Sequence, residues 1–219
     1  MDYSIRRALV RVNRRSDIPN LLHALDAERV CEVGVRNGDH LRELLVVPAS
    51  EFVAVDIWCE TGVRAQNDEC FSQDELDKQY RRVAELDPRV HVDRSLSVVA
   101  ATHYRDGYFD FVYLDADHTY VAVLADLVAW WPKVRAGGVM AGHDYCPASP
   151  VCADGVRVAF GVIEAVNAFA ASEHLALHVD ADSDWFIAKP AKQIPLVLTN
   201  RPGRATLATC RAAHASHRP

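Results

Sequence analysis

A mainly parallel β-sheet with helices on both faces is the fold class this sequence predicts, and three features predict it. Short apolar runs alternate with helix-spaced runs along most of the 219 residues, the rhythm of an α/β fold. The central runs 29-RVCEVGV-35, 51-EFVAVDIW-58 and 109-FDFVYLDA-116 are almost continuously hydrophobic, as strands covered on both faces are. These runs, and 138-GVMAGHDY-145, carry polar groups toward their ends: Glu32 with Gly34, Asp56, Asp115 with Asp117, and His143 with Asp144. In open α/β sheets the ligand sits beyond the carboxyl ends of the strands, so polar strand ends gathered on one edge mark a site.

Taken in order, 16-SDIPNLLHAL-25 reads as a helix with Ser16 or Asp17 as cap and Pro19 in the first turn. The first strand is 29–35, interrupted by Gly34 and Gly38, and 39-DHLRELLVV-47 resumes at helical spacing. The second strand, 51–58, ends at Asp56 and is followed by a loop holding Cys59 and Cys70. Ser72 and Glu75 form a Ser-x-x-Glu capping box that opens a helix to about Leu86. Strands follow at 89–95 and 109–116, then a helix over 120–134 with its apolar face at Val121, Leu124, Val128 and Trp131. The strand 138–145, a long helix 155–172 and a last strand 184–189 complete the series. One domain spans 1–190, with 1–27 as a helical lead-in; 191–219 is an extension that reads as an extra strand, a lid or a tail.

Composition excludes several classes. A formal net charge of −6 gives no global field for nucleic acid or an anionic membrane. Five arginines in residues 1–16 and Lys192 with four arginines in 191–219 make both termini basic, which solvated ends or a lid over substrate would explain. No apolar run approaches the length of a membrane span and no secretory signal opens the chain, so a cytoplasmic protein with reduced thiols is expected. Cys146 and Cys152 share a loop and leave pairing or metal binding open.

A glycine-rich turn from strand to helix brings backbone close to a ligand, and an acid about twenty residues on can hold both hydroxyls of a ribose. Gly34 and Asp56 stand 22 positions apart, which indicates an adenosine-containing cofactor. The Gly34–Gly38 spacing is not that of the NAD fingerprint, and taken alone it is also compatible with helix packing. The ordered set EVGVRNG, AVDIW, FDFVYLDADHTY and AGGVMAGHDY resembles class I S-adenosylmethionine-dependent methyltransferases. Within that class it is similar to bacterial sugar and small-molecule O-methyltransferases, and more distantly to the metal-dependent catechol and caffeoyl-coenzyme A enzymes. The resemblance covers about residues 28–190.

That resemblance implies a Rossmann-like, seven-stranded sheet. It implies that Gly34 and Gly38 pass the cofactor's methionine part, with Glu32 orienting the loop. Asp56 would hold the ribose, Ile57, Ser95 and Leu96 the adenine, and Asp117 would lie near the cofactor's amino group. S-adenosylhomocysteine would be the product. A hydroxyl acceptor must lose its proton to a base or onto a metal. Asp115, His143 and Asp144 occupy the positions where metal-dependent relatives place their ligands, which implies a divalent cation, magnesium first, with His143 as ligand or base. A hydrogen-bonded strand-end histidine and a turn-capping Asp144 are the plainer readings. His118 and Tyr120 are expected to pack and cap the following helix, and Trp58 either to pack or to wall a pocket. The expected acceptor is a small hydroxylated molecule, a sugar or glycan fragment first and a phenolic metabolite second. Nucleic-acid and protein methylation fit less well, and a homodimer is left open.

Overall fold

The computed structural model describes residues 3–59, 71–147 and 161–191. Expectations for Cys70, Cys152, residues 155–160 and the extension from 192 onward lie outside them. The strands are β1 (Arg29–Val33), β2 (Glu51–Val55), β3 (Val90–Asp93), β4 (Phe109–Leu114), β5 (Val134–Gly142), β6 (Leu177–Val179) and β7 (Trp185–Ala188). They form one seven-stranded sheet in the order β3-β2-β1-β4-β5-β7-β6. Pairs from β3 through β5 are parallel, and β7 runs antiparallel to both β5 and β6. The parallel strands therefore deliver their carboxyl ends to one edge.

The helices are α1 (Tyr3–Leu9), α2 (Ile18–Ala24), α3 (Asp39–Leu44), α4 (Gln73–Ala84), α5 (Ser97–Ala100), α6 (Tyr120–Trp130) and α7 (Val162–Ser172). Alternation along each strand sends side chains to two separate cores. Phe52, Ala54, Phe111, Tyr113 and Phe186 pack with Ile18, Leu21, Leu22, Leu41 and Leu44 on one face. Val53, Phe109, Val112, Met140 and Trp185 pack with Leu127, Trp130, Val166 and Phe169 on the other. All six residues of β4 are buried, Asp110 among them, whose carboxylate accepts the Glu28 and Arg29 N–H groups at 3.0 and 2.8 Å.

Local signals explain most boundaries. The Ser72 box forms: the Glu75 carboxylate accepts the Ser72 N–H at 2.8 Å while the Ser72 hydroxyl accepts from the Glu75 N–H. Asp17 occupies the N-cap of α2 without a capping bond to that helix; its carboxylate accepts the Asn13 and Arg14 N–H groups instead, at 3.0 and 3.2 Å.

Two expectations are corrected. α6 does not turn Val121, Leu124, Val128 and Trp131 inward; it buries Val123, Asp126, Leu127 and Trp130, leaving Val121 76 % and Val128 60 % exposed. Its apolar residues go nearly all the way round, so periodicity alone could not choose the face. β5 begins at Val134 rather than 138 and ends at Gly142, which sets His143 and Asp144 just past the strand. Strand β6 and helix α5 were not anticipated, whereas α1 falls within the helical lead-in expected over 1–27. Among the described residues no helix is long and apolar enough to cross a membrane.

Candidate active site

The first half of the site is built on the ends of β1, β2 and β3. Gly34 has φ +90°, and a Cβ there would lie 2.1 Å from the Asp115 carbonyl oxygen. Only a residue without a side chain lets the turn after β1 press against the end of β4. Gly38, at φ +81°, is the N-cap of α3, and its missing Cβ would meet Leu86 at 2.8 Å. Beneath this turn Glu32 is 2 % exposed. Burial pushes its pKa up from the ordinary carboxylate range, against the pull of neighbouring His40.

Asp56 ties the first two strand ends together. One carboxylate oxygen accepts the Arg36 N–H at 2.7 Å; the other accepts those of Ile57 at 2.6 Å and Trp58 at 3.3 Å. The two readings of Trp58 resolve to packing. It is buried, lies edge-on to Tyr80, and its indole N–H donates to the Arg36 carbonyl at 2.7 Å. Ser95 and the exposed Leu96 follow β3 next to Asp56, whose N–H donates to the Asp93 carbonyl at 3.3 Å.

The second half lies at the ends of β4 and β5. His118 Nε2 is 3.2 Å from Asp115 Oδ1 and 3.2 Å from Asp144 Oδ2. His143 Nδ1 is 3.3 Å from Asp144 Oδ1 and 3.9 Å from Asp115 Oδ1. Burial opposes a charged His143 ring, but the contact with Asp144 and the charge of Asp115 outweigh it and hold the pKa above the ordinary histidine value. Burial likewise pushes Asp144 up, and the neighbouring imidazoles with Arg15 more than reverse that, leaving it below the ordinary carboxylate value. Donor atoms of Asp115, His118 and Asp144 all lie within 4.8 Å of one another, a separation that can hold a metal ion. Sequence reasoning put His143 in the third place of that set. The chain leaves β4 and turns before Thr119, the N-cap of α6, and the turn sets His118 against both acids. Asp117 is exposed, and its Oδ1 accepts the Thr119 N–H at 2.8 Å.

Gly142, directly before His143, is as confined as Gly34. A Cβ would lie 2.4 Å from the Leu114 carbonyl oxygen and 2.5 Å from the Trp185 ring. Two further charged residues beside the cluster were not foreseen. Asp184 is fully buried and pairs with Arg15, whose Nε donates to Oδ2 at 3.2 Å and Nη2 to Oδ1 at 3.0 Å. The Tyr113 hydroxyl donates to Asp184 at 2.6 Å, and His143 Nε2 stands 3.9 Å from the same oxygen. Arg15 and Asp184 lie 169 positions apart, so no local pattern could link them.

Comparison with known proteins is consistent with this geometry. The family model described as a methyltransferase domain matches residues 31–145, just over half the chain. The chain belongs to the methyltransferase domain family. This methyltransferase has the class I fold of the S-adenosylmethionine-dependent enzymes. An O-methyltransferase from Bacillus cereus, solved with S-adenosylhomocysteine, is similar at TM-score 0.53 and 16% identity, over 86% of this chain and 92% of that one. The O-methyltransferase TomG from Streptomyces achromogenes, solved with S-adenosylmethionine, is similar at TM-score 0.55 and 12% identity, over 88% and 91%. No curated protein matches by sequence.

Proposed function

We propose that this methyltransferase moves the methyl group of S-adenosylmethionine to a hydroxyl of a small acceptor, a sugar or oligosaccharide fragment, with a divalent cation at the acid cluster and His143 as general base. The observation that carries the reading is the meeting of Asp115, His118 and Asp144 within 4.8 Å, on the sheet edge that also presents Asp56 and the bare Gly34 turn. The solved neighbours named as O-methyltransferases favour oxygen as the acceptor atom. The sugar reading rests on the GHDY stretch. TomG takes part in tomaymycin synthesis, which supports a natural-product acceptor, phenolic or other, as the second reading.

The residues fit the cofactor. The Gly34 turn presents backbone with no Cβ in the way, and Glu32 Oε2 is a buried acceptor without a hydrogen-bond partner, which a donor of the cofactor would satisfy. Asp56 would hold the ribose hydroxyls, Ile57, Ser95 and Leu96 the adenine, and Asp117 the amino-acid end. When bound, the sulfonium supplies a methyl electrophile, so the protein has to align the acceptor and remove its proton. His143 takes that proton, and the carboxylates of Asp115 and Asp144 stabilise the imidazolium that results. Two carboxylates admit magnesium, while the His118 nitrogen favours manganese.

The test combines binding and turnover. S-adenosylhomocysteine should raise the melting temperature where NAD does not. Transfer to a panel of sugars should fall in EDTA and return with Mg²⁺ or Mn²⁺, and His143→Ala should lose turnover while keeping cofactor affinity. Full activity in chelator removes the cation from the proposal, and unchanged turnover in His143→Ala removes the base. A panel in which only phenols react transfers the acceptor to the second reading.

A further inference from the structure

Buried polar groups in folded proteins nearly always find partners, and each one that does not calls for an explanation. Among the described residues three such atoms fall together here: Glu32 Oε2 on β1 and both ring nitrogens of His40 on α3. Glu32 Oε1 lies 3.4 Å from His40 Nδ1, an ion-pair distance without hydrogen-bonding geometry. The two side chains are 2 % and 8 % exposed. On its other side the His40 ring packs on Tyr113 with centroids 4.2 Å apart. His40 therefore fills a slot between the β1 acid and the β4 ring, two residues past the Gly38 cap.

We propose that His40 is a positioning residue of the cofactor site, which holds the Glu32 carboxylate in place through Oε1 and leaves Oε2 for a donor of the bound S-adenosyl group. This rests on the reading of Glu32 as a cofactor residue. An isolated carboxylate at this depth is costly, and the ordinary escape is to take up a proton. Burial pushes Glu32 that way; His40 is the strongest opposing group, Arg15 opposes more weakly, and Asp115 adds to the push. A protonated Glu32 would keep one oxygen as a donor and offer a weaker acceptor to a cationic ligand group, whereas charge-assisted hydrogen bonds are roughly twice as strong as neutral ones. The aromatic packing on Tyr113 supplies the fixed orientation, and the imidazole supplies the polarity.

Substitutions can separate packing from polarity. His40→Phe keeps a ring against Tyr113 and removes both nitrogens, while His40→Gln returns an N–H. Affinity for S-adenosylhomocysteine is read by calorimetry, beside the melting temperature of each ligand-free protein. We expect a 10- to 100-fold weaker affinity in His40→Phe, substantial recovery in His40→Gln, and no further loss when Glu32→Gln is added to His40→Phe, because both changes remove one function. Equal affinity in His40→Phe and the parent overturns the inference, as does fully additive loss in the double variant. If His40→Phe does not fold, His40→Leu, which also removes both nitrogens while keeping apolar packing on Tyr113, takes its place in the cycle with Glu32→Gln. A parent protein that binds no S-adenosylhomocysteine overturns the cofactor reading itself, an outcome distinct from either.

Discussion

Asp126 offers a quantitative test of how burial is handled beside the site. It sits on the inward face of α6, 6 % exposed, and its Oδ1 accepts the Ser97 hydroxyl at 2.5 Å while Ser97 accepts the Trp130 indole N–H at 2.9 Å. Burial pushes its pKa from 3.8 to about 6, more than the Ser97 hydrogen bond can offset, with Asp117 adding to the rise. A folded value above the unfolded one means that the native state binds the proton more tightly. Stability linked to Asp126 is thus complete below about pH 3.8, declines as pH rises, and is lost above about pH 6. At about 1.4 kcal/mol per pH unit the loss amounts to about 3 kcal/mol at neutral pH. Asp126→Asn is uncharged at every pH and keeps an acceptor for Ser97, so it should be more stable than the parent at pH 8. The amide must also place its NH₂ group, which reduces the expected gain to about 1–3 kcal/mol, or roughly 2–4 °C in Tm per kcal/mol for a chain of this size. Urea denaturation at pH 4.5 and pH 8 measures it: the variant's advantage should be small at the first and large at the second. An equal gap at both, or a less stable variant at pH 8, would refute the burial argument.

Two further perturbations probe the cofactor half of the site. Asp56→Ala should weaken S-adenosylhomocysteine binding by about 1.5–3 kcal/mol, the worth of a charge-assisted contact, and should also lower Tm because three backbone N–H groups lose their acceptor; calorimetry and a melting curve read the two effects, and unaltered affinity would take Asp56 out of the site. Gly34→Ala must relieve a 2.1 Å approach to the Asp115 carbonyl and a φ of +90° together. The strain alone is about 1–2 kcal/mol, and the displaced turn should cost at least 100-fold in cofactor affinity; a variant that binds like the parent would show that the turn can move freely.

The central strands were legible because they are almost continuously apolar and are closed by acids at Asp56 and Asp115, a pattern set by burial on both faces. The face of α6 was not, since a helix with apolar residues nearly all round gives periodicity nothing to select. β6 is only three residues long and half-exposed, too short for an alternation signal. At the candidate site the acids were visible as strand ends, but His118 was assigned to packing because its place depends on how the chain turns after β4. Arg15, Asp184 and His40 act through partners that are distant in sequence or on another element, and only the fold brings them together.

Gly142 has a consequence for how such a catalyst could diversify. The backbone that carries His143 is wedged between Leu114 and Trp185 with no space for even a methyl group. That seat is closed to stepwise change, because any enlargement would prise apart neighbouring strands before it altered the shape offered to an incoming molecule. If His143 is the base proposed above, new acceptor preferences would arise from elements that surround the seat, and the chemistry would stay fixed while its clientele is exchanged.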